Sequence, residues 1–94
     1  MIKSEPENEK MTEANDQIIM YGTTWCYDTR RAREIFEKNN IPYQWIDIGQ
    51  DPEARKFVEQ VNHGYRSVPT IVFPDGSILT EPSNNELRMK LGLT

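Results

Sequence analysis

"QIIMYGTTWCYDTRRAREIFEKNNIPYQWIDI", residues Gln17–Ile48, sets two apolar, β-prone runs on either side of an amphipathic stretch. The first run, Gln17–Gly22, is rich in Ile and stops at Gly, as a buried strand does. From Cys26 to about Asn39 the period becomes helical. Ala32, Ile35 and Phe36 fall at i, i+3 and i+4 on one face, and Arg30, Arg31, Arg33, Glu34, Glu37 and Lys38 cover the rest. Asn39-Asn40 and then Ile41-Pro42 end the helix, because Asn tolerates left-handed backbone and the residue before proline avoids the helical region. Tyr43–Ile48 is a second strand. Strand, helix and strand in this order predict a parallel pair joined by a right-handed crossover.

Downstream, Asp51 is placed to cap a second helix with Pro52 at its first position. Ala54, Phe57, Val58 and Val61 share its apolar face, and Gly64 is placed to end it. "PTIVF" and "SILT" form two short strands joined by "PDG", a hairpin signal. Ser83 and Glu86 make a capping box for a last helix with Leu87 and Leu91 inward and Gly92 at its end. The order is β-α-β-α-β-β-α. It predicts an α/β sandwich in which a four-stranded mixed sheet is covered by three helices. Upstream, Met1–Asp16 carries two lysines against five acids, so it holds −3 of the chain's net −4. With no apolar core run it predicts a disordered acidic tail over 1–16 and no secretory signal. The folded domain is expected over 17–94.

The near-neutral balance of that domain gives no basic footprint for nucleic acid or an anionic membrane, and no run approaches the ~20 apolar residues of a membrane span. A single cysteine among 94 residues excludes an internal disulfide and an all-cysteine metal site. A small domain without disulfide staples or an export signal fits a reducing cytoplasm.

The one cysteine, Cys26, follows a strand and a short turn and opens a helix. Free amides and the positive end of the helix dipole favour a negative charge there. Arg30 and Arg31, about a turn on, add to this if they point back; Asp28 opposes it. Thr29 stands at i+3. Its hydroxyl can donate to a thiolate but cannot form a disulfide, so redox chemistry at this site has to be monothiol. Trp25 and Tyr27 flank the cysteine as an apolar rim. In "RSVPT", Val68-Pro69 precedes a strand. A proline there can be cis and leave backbone open to an extended ligand, and Arg66 stands ready to meet a ligand carboxylate. Set against these is a plainly structural reading: Cys26 as an inert buried thiol, Trp25 in the core, Pro69 trans and Arg66 on the surface. His63, the only histidine, reads as a solvated residue near a helix end. Asp47 and Asp51 read as a strand end and a helix cap.

Taken together, Tyr21, "TTWCYDT", "SVPT" and "FPDGSILTEPSNNEL" resemble the glutaredoxin family of the thioredoxin fold, and most of all the bacterial glutaredoxin-like redoxins and mycoredoxins. The likeness runs from about Gln17 to Leu93. It implies a three-layer thioredoxin-like domain with Cys26 as attacking thiolate and a cis Pro69 facing it. It also implies that the Val68 backbone pairs with the cysteinyl part of a bound thiol. The function implied is thiol–disulfide exchange and electron transfer in cell redox homeostasis. No bound cofactor or metal is expected, with glutathione or another low-molecular-weight thiol as co-substrate and protein mixed disulfides as partners. A monomer is expected. The sequence departs from the family at four places. Tyr27 takes the place usually held by Pro or Gly after the cysteine. Thr29 replaces the resolving cysteine, Thr23 stands where glutathione-binding members carry lysine, and "LTEPSN" replaces a Gly-Gly with its polar pair. "CYDT" also differs from the Cys-Gly-Phe-Ser of cluster-bridging members. Two other classes stay open: a non-catalytic binding module on this fold, and an arsenate-reductase-like thiol enzyme suggested by Cys26, Thr29 and Arg30.

Overall fold

The computed structural model describes residues 17–93; the expected tail over 1–16 lies outside them. Four strands, β1 (Ile19–Gly22), β2 (Gln44–Asp47), β3 (Thr70–Val72) and β4 (Ile78–Thr80), form one sheet in the order β2-β1-β3-β4. β1 runs parallel to β2, with Met20 opposite Trp45, and antiparallel to β3, with Met20 opposite Ile71. β3 and β4 form the antiparallel hairpin. Three helices cover the sheet: α1 (Tyr27–Lys38), α2 (Pro52–Val61) and α3 (Asn84–Leu91). The element order and the mixed sheet are those the hydrophobic pattern predicts.

β1 is central, so both its faces need cover. On one face Met20 and Ile71 pack with Ala32 and Phe36 of α1 and Leu87 of α3. On the other, Tyr21 and Ile46 meet Ala54 and Val58 of α2, with Ile48 beside them. The result is three layers with two separate cores. Phe36 is fully buried, which contributes about 2–3 kcal/mol of transfer free energy. The Tyr21 and Phe57 rings stack at 4.9 Å in the second core.

The helix ends follow local chemistry. The Asp51 carboxylate accepts from the Glu53 and Ala54 amides at 3.1 Å each, and the Ser83–Glu86 capping box forms with both its bonds. Asn40 takes the left-handed conformation (φ 55°) that ends α1, and Gly92 does so after α3 (φ 75°). The hairpin strands are shorter than the apolar runs that announce them. The Gly76 amide bonds to the Phe73 carbonyl, Gly76 is left-handed (φ 89°), and the Phe73 amide then pairs with the Ser77 carbonyl. That geometry moves Phe73 and Ser77 out of the strands and into the turn.

Candidate functional site

The site lies beyond the carboxyl end of β1. The tight packing behind Gly22, the last residue of β1, explains why glycine stands there. A β-carbon on Gly22 would stand 2.6 Å from Cγ2 and 2.9 Å from Oγ1 of Thr29, so only glycine lets the first turn of α1 lie this close to the strand. Thr23–Trp25 make the turn, and the Cys26 amide bonds weakly back to the Thr23 carbonyl at 3.4 Å. Cys26 is the N-cap residue of α1, with extended backbone (φ −83°, ψ 126°). The first intrahelical bond runs from the Arg30 amide to the Cys26 carbonyl. The amides of Tyr27, Asp28 and Thr29 are thus free of helical partners and lie at the positive end of the helix, a setting suited to an anionic sulfur.

Cys26 is half-buried, and its Sγ stands 3.9 Å from the Val68 carbonyl oxygen. The Val68–Pro69 bond is cis, and Pro69 is buried. Sequence positions 26 and 68 therefore meet across the sheet end. Trp25 and Tyr27 are 77% and 69% exposed, so Trp25 is a rim residue and not part of the core. Between the cysteine turn and α2 lies an open cleft of about 220 Å³, lined by Thr23, Trp25, Ile48, Val68, Arg55 and Arg66 among others. Arg66 lies on its edge, paired with Glu59 at 2.7 Å and largely exposed.

Thr29 is fully buried and points at Gly22; its hydroxyl has no hydrogen-bond partner. It makes no bond to Cys26 in this conformation. Threonine in a helix uses two χ1 rotamers, so a second orientation is within its repertoire. Neither arginine faces the sulfur as a counter-charge. Arg31 reaches from α1 to the start of α3. It donates to Asp28 at 3.2 Å, to the Pro82 carbonyl at 3.4 Å and to the Asn84 side chain. The carboxylate that sequence sets against the thiolate is therefore already paired. Arg30 is exposed and lines a different hollow with Arg33, Glu34 and Glu37.

His63 is exposed on the loop after α2 (φ 58°) and makes no hydrogen bond to Cys26. Asp47 accepts from the Gly49 amide and Asp51 caps α2, both structural uses. The residue that sequence reasoning missed is Arg55. It lies on the half-buried flank of α2, donates to the Ile48 carbonyl at 2.9 Å, and has no carboxylate within ion-pair distance among the described residues. Its one sequence signal was a charge one position after Ala54, on the edge of an apolar face. Among the described residues no three His, Cys, Asp or Glu side chains group as metal ligands, and no helix is long and apolar enough to cross a membrane.

The chain is similar to known proteins. The chain is 42% identical over 74 residues to a Mycobacterium tuberculosis (strain ATCC 25618 / H37Rv) protein named for the glutaredoxins; this covers 79% of the chain and 88% of that protein. It is 35% identical over 74 residues to Mycoredoxin 1 of Corynebacterium glutamicum (strain ATCC 13032), covering 79% and 91%. Among solved structures, a mutant of the thioredoxin-like protein BC3987 superposes with a TM-score of 0.69 at 27% identity, over 80% of this chain and 99% of that one. The Glutaredoxin family model matches residues 18–78. With a cysteine at the head of α1 facing a cis-proline turn across a thioredoxin-like sheet, the chain belongs to the glutaredoxin family.

Proposed function

We propose that this redoxin is a monothiol thiol–disulfide oxidoreductase acting on mixed disulfides between proteins and a low-molecular-weight thiol. The observation that carries the reading is the approach of Cys26 Sγ to the Val68 carbonyl at 3.9 Å beside an open cleft. A substrate with an extended cysteinyl backbone can pair with Val68 there while its sulfur meets Sγ.

The Cys26 thiolate attacks the small-thiol sulfur of a protein–S–S–R disulfide. A Cys26–S–S–R bond forms, the protein–sulfur bond breaks, and the departing protein thiolate takes a proton. With one cysteine in the chain, release falls to a second RSH. Its thiolate attacks the R sulfur, RSSR leaves and Cys26 is regenerated. Net, protein–SSR and RSH give protein–SH and RSSR, with no net oxidation.

Trp25 and Tyr27 form the apolar rim on which the protein part docks. Val68 and Pro69 hold the cysteinyl part, and Arg66, with Arg55 beside it, faces the polar end of the small thiol. Thr29 donates to the thiolate once its hydroxyl turns from Gly22. The thiol is glutathione, mycothiol or another of that class, and the expected setting is the cytoplasm. Mass spectrometry of protein purified without reductant tests the proposal. An adduct on Cys26, absent from Cys26→Ser, is expected, and its mass names the thiol. A bare Cys26 that alkylates at pH 7 no faster than free cysteine would refute it and favour the binding module.

A further inference from the structure

The segment Asn62–Pro69 carries Arg66, Val68 and Pro69, yet it has no regular secondary structure. Something must fix its height over Cys26. The Gly64 and Tyr65 amides bond back to the Glu59 and Asn62 carbonyls in the turn that closes α2, and beyond that turn three further attachments hold the segment to the rest of the fold. The Arg66–Glu59 pair is largely exposed on the Arg66 side, and such pairs hold little. At the far end, the Pro69 carbonyl accepts from the Glu81 amide at 2.8 Å. The third attachment is half-buried, centred on the fully buried Thr70, and runs through side chains. The Thr70 hydroxyl, fully buried, donates to the Ser67 carbonyl at 2.7 Å. Asn62 Nδ2 stands 3.0 Å from Thr70 Oγ1 and 2.8 Å from the Val58 carbonyl, and Asn62 Oδ1 accepts from the Thr80 hydroxyl at 2.8 Å.

The polarity of this relay is fixed by its ends. The Ser67 and Val58 carbonyls can only accept, so Thr70 spends its one proton on Ser67 and must accept from the Asn62 amide. Asn62 thereby ties the end of α2, β3 and β4 to the residue just before Val68. We infer that Asn62 is a positioning residue: acting through Thr70, it holds the Ser67–Val68 backbone at the height at which it pairs with the substrate opposite Cys26. The inference rests on the proposed role of Val68 in the redox reading, and it concerns substrate pairing and not the reactivity of the sulfur. No other side chain takes this role, because the Ser67 carbonyl has no second partner among the described residues' hydrogen bonds.

The test is steady-state reduction of a glutathionylated synthetic peptide, with glutathione as reductant, by the full chain and by Asn62→Ala, Thr70→Val and Thr70→Ser. Losing a half-buried hydrogen bond of this kind is expected to raise KM for the peptide about fivefold in the first two variants. The turnover number and the rate of Cys26 alkylation by iodoacetamide, a reagent too small to need Val68, stay at the parent values. Thr70→Ser keeps the hydroxyl and stays within about twofold of the parent. The double variant Asn62→Ala/Thr70→Val is no worse than the worse single, since both break one relay. Amide hydrogen exchange supplies a readout that needs no turnover: faster exchange confined to residues 63–68 is expected. An unchanged KM, or exchange that rises evenly over the sheet, overturns the inference. If the parent itself shows no turnover, the redox reading fails with this thiol, and the exchange pattern alone decides whether Asn62 sets the loop.

Discussion

Thr29→Val asks whether the site carries a cost in stability. Thr29 is fully buried, its hydroxyl has no partner, and Gly22 is pressed against it. Valine has the same shape, so it adds no atom to this contact and opens no void. An unpaired buried hydroxyl costs about 1–3 kcal/mol in proteins. The substitution should therefore raise the unfolding free energy by about 1–2 kcal/mol. For a domain of this size, with a urea dependence of about 1 kcal/mol per molar, the midpoint moves up by about 1–2 M. Urea unfolding of reduced protein at pH 7 measures it. The same substitution should slow Cys26 alkylation about tenfold, the value of one charge-assisted bond to a thiolate. A variant less stable than its parent would mean that the hydroxyl is satisfied in solution, and the reasoning from its burial would fail. An unchanged alkylation rate would remove Thr29 from the chemistry. Gain in one readout and loss in the other is the pattern of a residue kept for function at the expense of the fold.

Two more outcomes follow from the packing and the charges. Gly22→Ala should cost about 1–3 kcal/mol by overpacking against Thr29 and Trp45, and adding Thr29→Ala should recover most of it in urea unfolding; additive losses would refute the clash. Burial first, and then the charge of Asp51, push the Tyr21 hydroxyl above its ordinary 10.0. Because the native state then holds this proton more tightly than the unfolded chain, the stability it supports is whole below pH 10 and falls as pH rises through the folded value. Tyr21→Phe should flatten that alkaline loss relative to the parent, though Tyr43, also raised chiefly by burial, keeps part of it. An equal loss in both proteins would show that Tyr21 is not its source.

The features legible in the sequence are those that local chemistry decides. Pro52 after Asp51, Ser83 with Glu86, Asn40 at a helix end and Gly22 after an Ile-rich run each act within a few residues, and each does in the fold what its spacing implies. Cys26 was legible for the same reason, since a strand, a turn and a helix start are neighbours in the chain. What escaped depends on distant partners. Whether Asp28 opposes the sulfur turns on Arg31, whose other contacts, Pro82 and Asn84, lie more than 50 positions away. Arg55 joins the cleft because α2 packs on Ile46 and Ile48, which brings its guanidinium to the Ile48 carbonyl. The direction of the Thr29 hydroxyl is set by how closely α1 is drawn onto β1, which no i+3 rule contains.

The reach of Arg31 bears on how the chain is made. Its contact with Asn84 spans 53 positions. A ribosome delivers β1, the cysteine turn and α1 first, and N-terminal units of a chain begin to organise before the rest emerges. Cys26 is thus synthesised before the brace that pairs Asp28 and pins the first turn of α1, which is completed only when α3 arrives. A nascent chain holds its thiol on an unbraced helix start until α3 has been made, and the braced helix start dates from the docking of α3.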